Sequence, residues 1–171
     1  MEITTIEPFL KYYENLRKRT LKVIECIPSE KINWTHAAGK FTFADLIRHL
    51  AATERFMFAE TVQNKKSVYP GHEEHLADGY TNVLRFLDEM HRESMEIFRR
   101  LTDEDLQKKC LTPNDTPITV WKWLRALAEH EIHHRGQIYA YLGMLGIAAP
   151  PLYGLTSEEV RERSRPSGLS F

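Results

Sequence analysis

The chain has 171 residues, 42% hydrophobic and 27% charged, ordinary proportions for a globular protein with one sizeable core. A formal net charge of −1 gives no basic field for nucleic acid, and no apolar run approaches the length of a membrane span. Cys26 and Cys110 form neither a metal-type spacing nor a disulfide framework, and Met1–Leu10 carries Glu2 and Glu7 rather than a signal peptide's apolar run, so one cytoplasmic domain over residues 1–171 is expected.

Apolar spacing predicts a first helix over residues 6–27, with Phe9, Leu10, Tyr13, Leu16, Val23 and Ile24 on one side and Pro28-Ser29 ending it. A second helix opens at Thr42, which can act as N-cap with Asp45 three residues on, and continues to Val62. It is apolar around much of its circumference, so burial on more than one side is expected, with more apolar surface than a lone bundle covers. After Pro70-Gly71 a third helix is predicted over 76–101, with Tyr80, Val83, Leu84, Leu87, Met90 and Phe98 inward. Residues 102–117 are polar and turn-rich; a short helical turn near Thr102–Asp105 and no strand are expected. The fourth helix runs over 119–146, closed by Gly146 and by Pro150-Pro151. Thr156 with Glu159 forms a capping box for a short C-terminal helix, and the last residues are expected to be loosely held. These elements predict an all-α four-helix bundle with a short C-terminal helix, an architecture whose interior commonly hosts metal sites.

Histidines carry the functional signal. Trp123, Leu127, His130, His134, Ile138, Tyr141 and Leu145 recur at steps of three or four, the inward face of the fourth helix. Two imidazoles one turn apart on a buried face need partners, because burying unpaired polar groups is costly, and together they can ligate one metal. At least one further ligand must come from another helix. His49, beside Leu46, Leu50 and Thr53, is the best candidate, and His91 on the third helix is its rival. His36, His72 and His75 fall in loops, and His133 is about a quarter turn from His134, off the face of the pair.

His130-Glu131-Ile132-His133-His134 also matches the HExxH pattern, in which the glutamate is a general base beside zinc. The long form of that motif needs glycine at position 137 and histidine at position 140, where the chain has Gln137 and Ala140. With no sheet edge to align a peptide, the match reads as coincidence. Gly136 costs its helix about 1 kcal/mol relative to alanine, which suggests a close helix approach there. Arg135 is expected to pair with a carboxylate or a helix end, and Trp121, Trp123, Tyr139 and Tyr141 to be core or interface aromatics.

The segment Ala128–Ile138 resembles the signature of the DinB-like (DNA-damage-inducible) superfamily. The resemblance is supported by Thr42–Leu50, by Gly146-Ile147 and by Pro150–Gly154, and it extends over nearly the whole chain. It implies a four-helix bundle of unusual connection order, commonly homodimeric, holding a divalent metal through one histidine of the second helix and two of the fourth. By position these are His49, His130 and His134. The resemblance also implies a metal-dependent enzyme that transfers a small thiol, such as mycothiol or bacillithiol, to an electrophilic substrate. A metal-dependent hydrolase or a non-catalytic, metal-stabilised binding protein are the alternatives. Histidine-only ligation suits zinc and nickel about equally. No catalytic residue is assigned.

Overall fold

In the computed structural model, which describes residues 2–165, the order of elements follows the sequence reading, with shifted ends. α1 (Ile6–Ile24) stops one turn earlier than predicted; a hydrogen-bonded turn at 25–27 leads into a 3-10 turn at Ser29–Lys31. α2 (Phe43–Thr53) starts with the predicted cap: Asp45 N donates to Thr42 Oγ1, and Thr42 N donates back to the Asp45 carboxylate. It runs on through a π-helical turn (Glu54–Phe58) into a last α turn (Ala59–Thr61), an interruption that apolar spacing does not reveal. α3 (Tyr80–Phe98) is shorter than predicted at its start, because Ala77 is extended and Gly79 takes a φ of 76°. α4 (Val120–Met144) runs unbroken through Gly136, and Gly146 follows it at φ 71°, the left-handed conformation that favours glycine after a helix end. α5 (Ser157–Arg163) has the expected Thr156–Glu159 capping box and buries no residue. The loosely held end foreseen for the chain lies, over 166–171, outside the described residues.

Two features correct the sequence reading. β1 (Lys109–Leu111) and β2 (Pro117–Thr119) pair antiparallel where no strand was expected, a hairpin too short to leave a period-two signature. The apolar girth of α2 is covered within the chain, nine of its eleven residues being buried, and of the apolar residues in the π turn beyond it only Phe56 and Met57 are half-buried.

α1 packs along α4, and α2 along α3 and α4. Their buried faces form two apolar clusters. One gathers Val23, Ile24, Leu46, Ile47, Leu50, Leu87, Ile138 and Leu142; the other gathers Tyr13, Leu16, Phe58, Met95, Phe98, Leu124 and Leu127. Between them each helix places polar groups: Arg17 and Thr20 on α1, Thr53 and Glu54 where α2 meets the π turn, His91 and Ser94 on α3, Glu131 on α4. All but His91, which is half-buried, are buried. The polar side chains thus form a layer across the bundle.

Candidate metal centre

His49 lies in the second turn of α2, and the preceding residue fixes its surroundings. The buried Arg48 donates to His72 O (2.7 Å), to Ala77 O (2.8 Å) and to the capping carboxylate of Asp45 (2.6 Å). That clasp holds the segment leading into α3 beside the start of α2. From α4, His130 and His134 project one turn apart onto the same side.

His49 Nε2 is 3.0 Å from His130 Nε2, which is 3.1 Å from His134 Nε2. The edge of a tetrahedron of nitrogens around a centre 2.0–2.1 Å away is about 3.3–3.4 Å, so the spacing is close to what a metal requires. These three are the group of histidine, cysteine or carboxylate ligand atoms, among the described residues, that lie within 4.8 Å of one another.

Hydrogen bonds at the far sides of the rings decide what the inner nitrogens present. His134 Nδ1 is 2.6 Å from Gln137 Oε1; a carbonyl oxygen only accepts, so Nδ1 carries the proton and Nε2 of the neutral ring presents a lone pair. His49 Nδ1 is 2.8 Å from Tyr69 Oη and 3.3 Å from Thr53 Oγ1. Among the described residues His130 Nδ1 is buried without a hydrogen-bond partner. Lone pairs converging on one point repel each other unless a proton or a cation lies between them. The donor set therefore fits a divalent ion.

Protonation is disfavoured here. Burial, then the neighbouring His134 and His72, bring the His49 pKa down to about 4. Burial, then His134 and His49, bring His130 down to about 3. Burial also lowers His134, against the Gln137 hydrogen bond that raises it. The unfolded rings titrate near pH 6.5. The contribution of these groups to stability is thus complete above pH 6.5 and is lost as pH falls towards the folded values, because the unfolded chain binds protons first. Chelator-treated protein is expected to show a denaturation midpoint that declines between pH 6.5 and 4. Zinc-loaded protein should release its ion over the same descent, since protons compete for the ligating nitrogens. A midpoint that is level across this range would contradict the protonation states argued above.

The other histidines lie outside the cluster. His91, the rival ligand, sets Nδ1 2.8 Å from Glu54 Oε1 in the polar layer. His133 is exposed, its ring 4.9 Å from that of His134. His36 packs on Tyr141, and His75 is exposed. His72, in a loop as expected, packs its ring tilted against that of Phe41, centroids 4.3 Å apart, at one side of the site. Glu131, the glutamate of the HExxH match, turns away: it accepts from Thr20 Oγ1 (2.6 Å) and pairs with Arg17 (3.0 Å).

Two further expectations are corrected. Gly136 is exposed, and a Cβ placed there would meet nothing within 4 Å, so no close approach explains it within one chain. Arg135 is buried and donates to Tyr153 Oη at 3.3 Å rather than to a carboxylate or a helix end. Sequence reasoning missed Arg48, Thr53, Tyr69 and Gln137. Gln137 stood within reach of it, three residues beyond His134 on the same helix face; Tyr69, in a loop, carried no periodic signal.

A family model described as the DinB superfamily matches residues 12–138. The chain belongs to the DinB superfamily. The fold of this DinB-like chain is similar to that of a DinB-like protein from Bacillus cereus, with a TM-score of 0.70 and 20% sequence identity over 86% of this chain and 97% of that one. A DinB-like protein from Bacillus subtilis gives a TM-score of 0.68 and 19% identity over 85% of this chain and 97% of that one. At such identities the likeness concerns the all-α DinB-like fold. Among curated proteins none matches in sequence.

Proposed function

We propose that this DinB-like protein holds a divalent ion, zinc or nickel, on His49, His130 and His134 and is a small-thiol S-transferase. The observation that supports the reading is the meeting of three imidazole Nε2 atoms with neither carboxylate nor thiol among them. Three protein ligands leave an exchangeable position, and the chemistry such an ion supplies is Lewis acidity, by which a thiol or water reaching that position loses its proton near neutral pH. The chain's own residues hold and orient. Gln137, Tyr69 and Thr53 fix the outer edges of the rings, while Phe41 and His72 close one side.

Glu131 counts against a hydrolase of the HExxH type, in which that glutamate is the general base. A glutamate committed to Arg17 and Thr20 in the interior is not placed to take a proton from water at the histidines. The test is conjugation of a chloronitroarene with a panel of small thiols, by metal-loaded and chelator-treated protein. Thiol-dependent conjugation that chelator abolishes and zinc or nickel restores is the expected result. Ester cleavage without any thiol would favour the hydrolase, and inactivity in both assays a binding role.

We also propose that the protein works in the cytoplasm as a homodimer. Among the described residues no helix is long and apolar enough to cross a membrane. The outer side of α4 exposes Ile132, Gly136, Tyr139, Gly143 and Met144, and a groove of about 520 Å³ runs between its N-terminal half and residues 2–12. Light scattering at micromolar concentration tests the dimer; a monomer mass would remove it.

A further inference from the structure

The segment between the π turn and α3 passes close to His49 and is tied down on either side of that contact. Before it, Val68 N (2.9 Å) and Ser67 Oγ (3.2 Å) both donate to Phe56 O in the π turn. After it, Arg48 grips the carbonyls of His72 and Ala77. Between these anchors Tyr69 sets its hydroxyl 2.8 Å from His49 Nδ1, the rings edge-to-face at 5.8 Å. Thr53, one turn beyond His49 on the same helix face, sets its Oγ1 3.3 Å from the same His49 Nδ1.

We propose that Tyr69 is a positioning residue of the metal centre, accepting the His49 Nδ1–H so that the Nε2 lone pair is held towards His130 and His134, and that ion binding thereby tightens the docking of residues 67–77. The inference rests on the three-histidine metal reading above. Its logic is the hydrogen-bond inventory of the two rings. A neutral imidazole has one N–H, and when Nε2 ligates an ion that N–H is on Nδ1. The phenol oxygen then accepts that proton. Without an ion, His49 can instead carry its proton on Nε2, pointed at His130, and accept from the phenol at Nδ1. The same pair thus serves both states, but the direction of its hydrogen bond reverses between them. Only the loaded state commits Tyr69 as an acceptor. The Phe56 and Arg48 anchors involve neither ring, so they bring Tyr69 close without deciding its role.

The experiment is zinc titration of the full chain against a chromophoric chelator, comparing wild type with Tyr69→Phe, Thr53→Val and Tyr139→Phe. Amide exchange of residues 67–77 is followed with and without zinc, together with the ring ¹⁵N shifts of His49. Tyr69→Phe keeps the ring and removes only the hydroxyl, and it is expected to lower zinc affinity about 10–100-fold, as removal of an outer partner of a ligating histidine does. Thr53→Val should weaken binding in the same direction, and Tyr139→Phe should bind as wild type. Zinc should slow amide exchange over 67–77 in wild type and do so far less in Tyr69→Phe, and loaded wild type should show His49 protonated at Nδ1. Wild-type affinity in Tyr69→Phe, or a loaded His49 lacking that proton, overturns the proposal while leaving the metal reading intact. A wild-type chain that takes up neither zinc nor nickel overturns both.

Discussion

His49→Ala is expected to leave the protein unable to retain a metal ion through gel filtration, whereas His133→Ala and His91→Ala retain it at wild-type stoichiometry. The three substitutions remove the same chemical group from three surroundings. His49 brings its Nε2 within 3.0 Å of His130 Nε2, and taking it away leaves two ligands from one helix turn, with nothing from α2 to close the site. Loss of an outer partner of a metal ligand costs about 10–100-fold in affinity, and loss of a ligand should exceed that. His133 is exposed, outside the cluster, and His91 is committed to Glu54. Metal analysis after zinc loading reads the outcome directly. Retention by His49→Ala combined with loss in His91→Ala would place the centre in the polar layer instead. Circular dichroism should show all three variants helical, so that lost metal is not mistaken for lost fold.

Arg17→Ala is expected to destabilise the fold far more than substitution of an arginine at the surface. The guanidinium is buried and lies 2.5 Å from Glu54 Oε2 and 3.0 Å from Glu131 Oε2. Burial alone would push its pKa down, yet Glu131 and Glu54 more than offset this and raise it, so its charge is secure. The two carboxylates depend on it, with His91 as further partner of one and Thr20 of the other. Removing one side of a buried ion pair costs about 3–5 kcal/mol, because the remaining charge is left uncompensated. That is a large part of the 5–15 kcal/mol that typically separates folded from unfolded protein. The comparison is Arg99→Ala, whose pair with Glu14 lies at the surface and should contribute no more than about 1 kcal/mol. Urea unfolding of both variants supplies the measurement. Equal midpoints would mean that the layer does not carry the charges assigned to it.

Much of this was legible in the sequence because it is periodic. Residues three and four apart share a helix face, so the stripe from Trp123 to Leu145 placed His130 and His134 together and inward. The same reasoning reached His49 and the caps at Thr42 and Thr156, whose partners lie three residues on. What remained hidden depends on contacts between distant segments. Nothing in the sequence links Arg17 and Glu54 to Glu131, which stands out only through the HExxH match, and packing alone shows that the three meet inside the bundle. The π turn adds a residue without any marking glycine or proline, and Tyr69 reaches His49 across twenty positions of chain. The hairpin is three residues a side, shorter than the window in which alternation can be recognised. Helix position already favoured His49 with His91 as its rival, and the family resemblance named the same residue.

The position of the charged layer has a further consequence for how the helices find one another. Apolar faces are tolerant: sliding one amphipathic helix along another by a turn, about 5.4 Å, exchanges one set of aliphatic contacts for another of similar worth. Charges are not tolerant. Slipping α1 by one turn would carry Arg17 away from both carboxylates and into apolar surroundings, either beside Leu87 and Ile138 or beside Phe58 and Leu124. α1, α2 with its π turn, and α4 each bring an ion to that one level, so a slip of any of them strands a charge in hydrocarbon, and a slip of α3 takes His91 away from Glu54. The layer is therefore a ruler for axial alignment, much as a single polar position sets the register of a coiled coil. Because Glu131 follows His130 directly and Glu54 lies five residues beyond His49, the ruler that aligns α4 and α2 with α1 also brings the three imidazoles to one height.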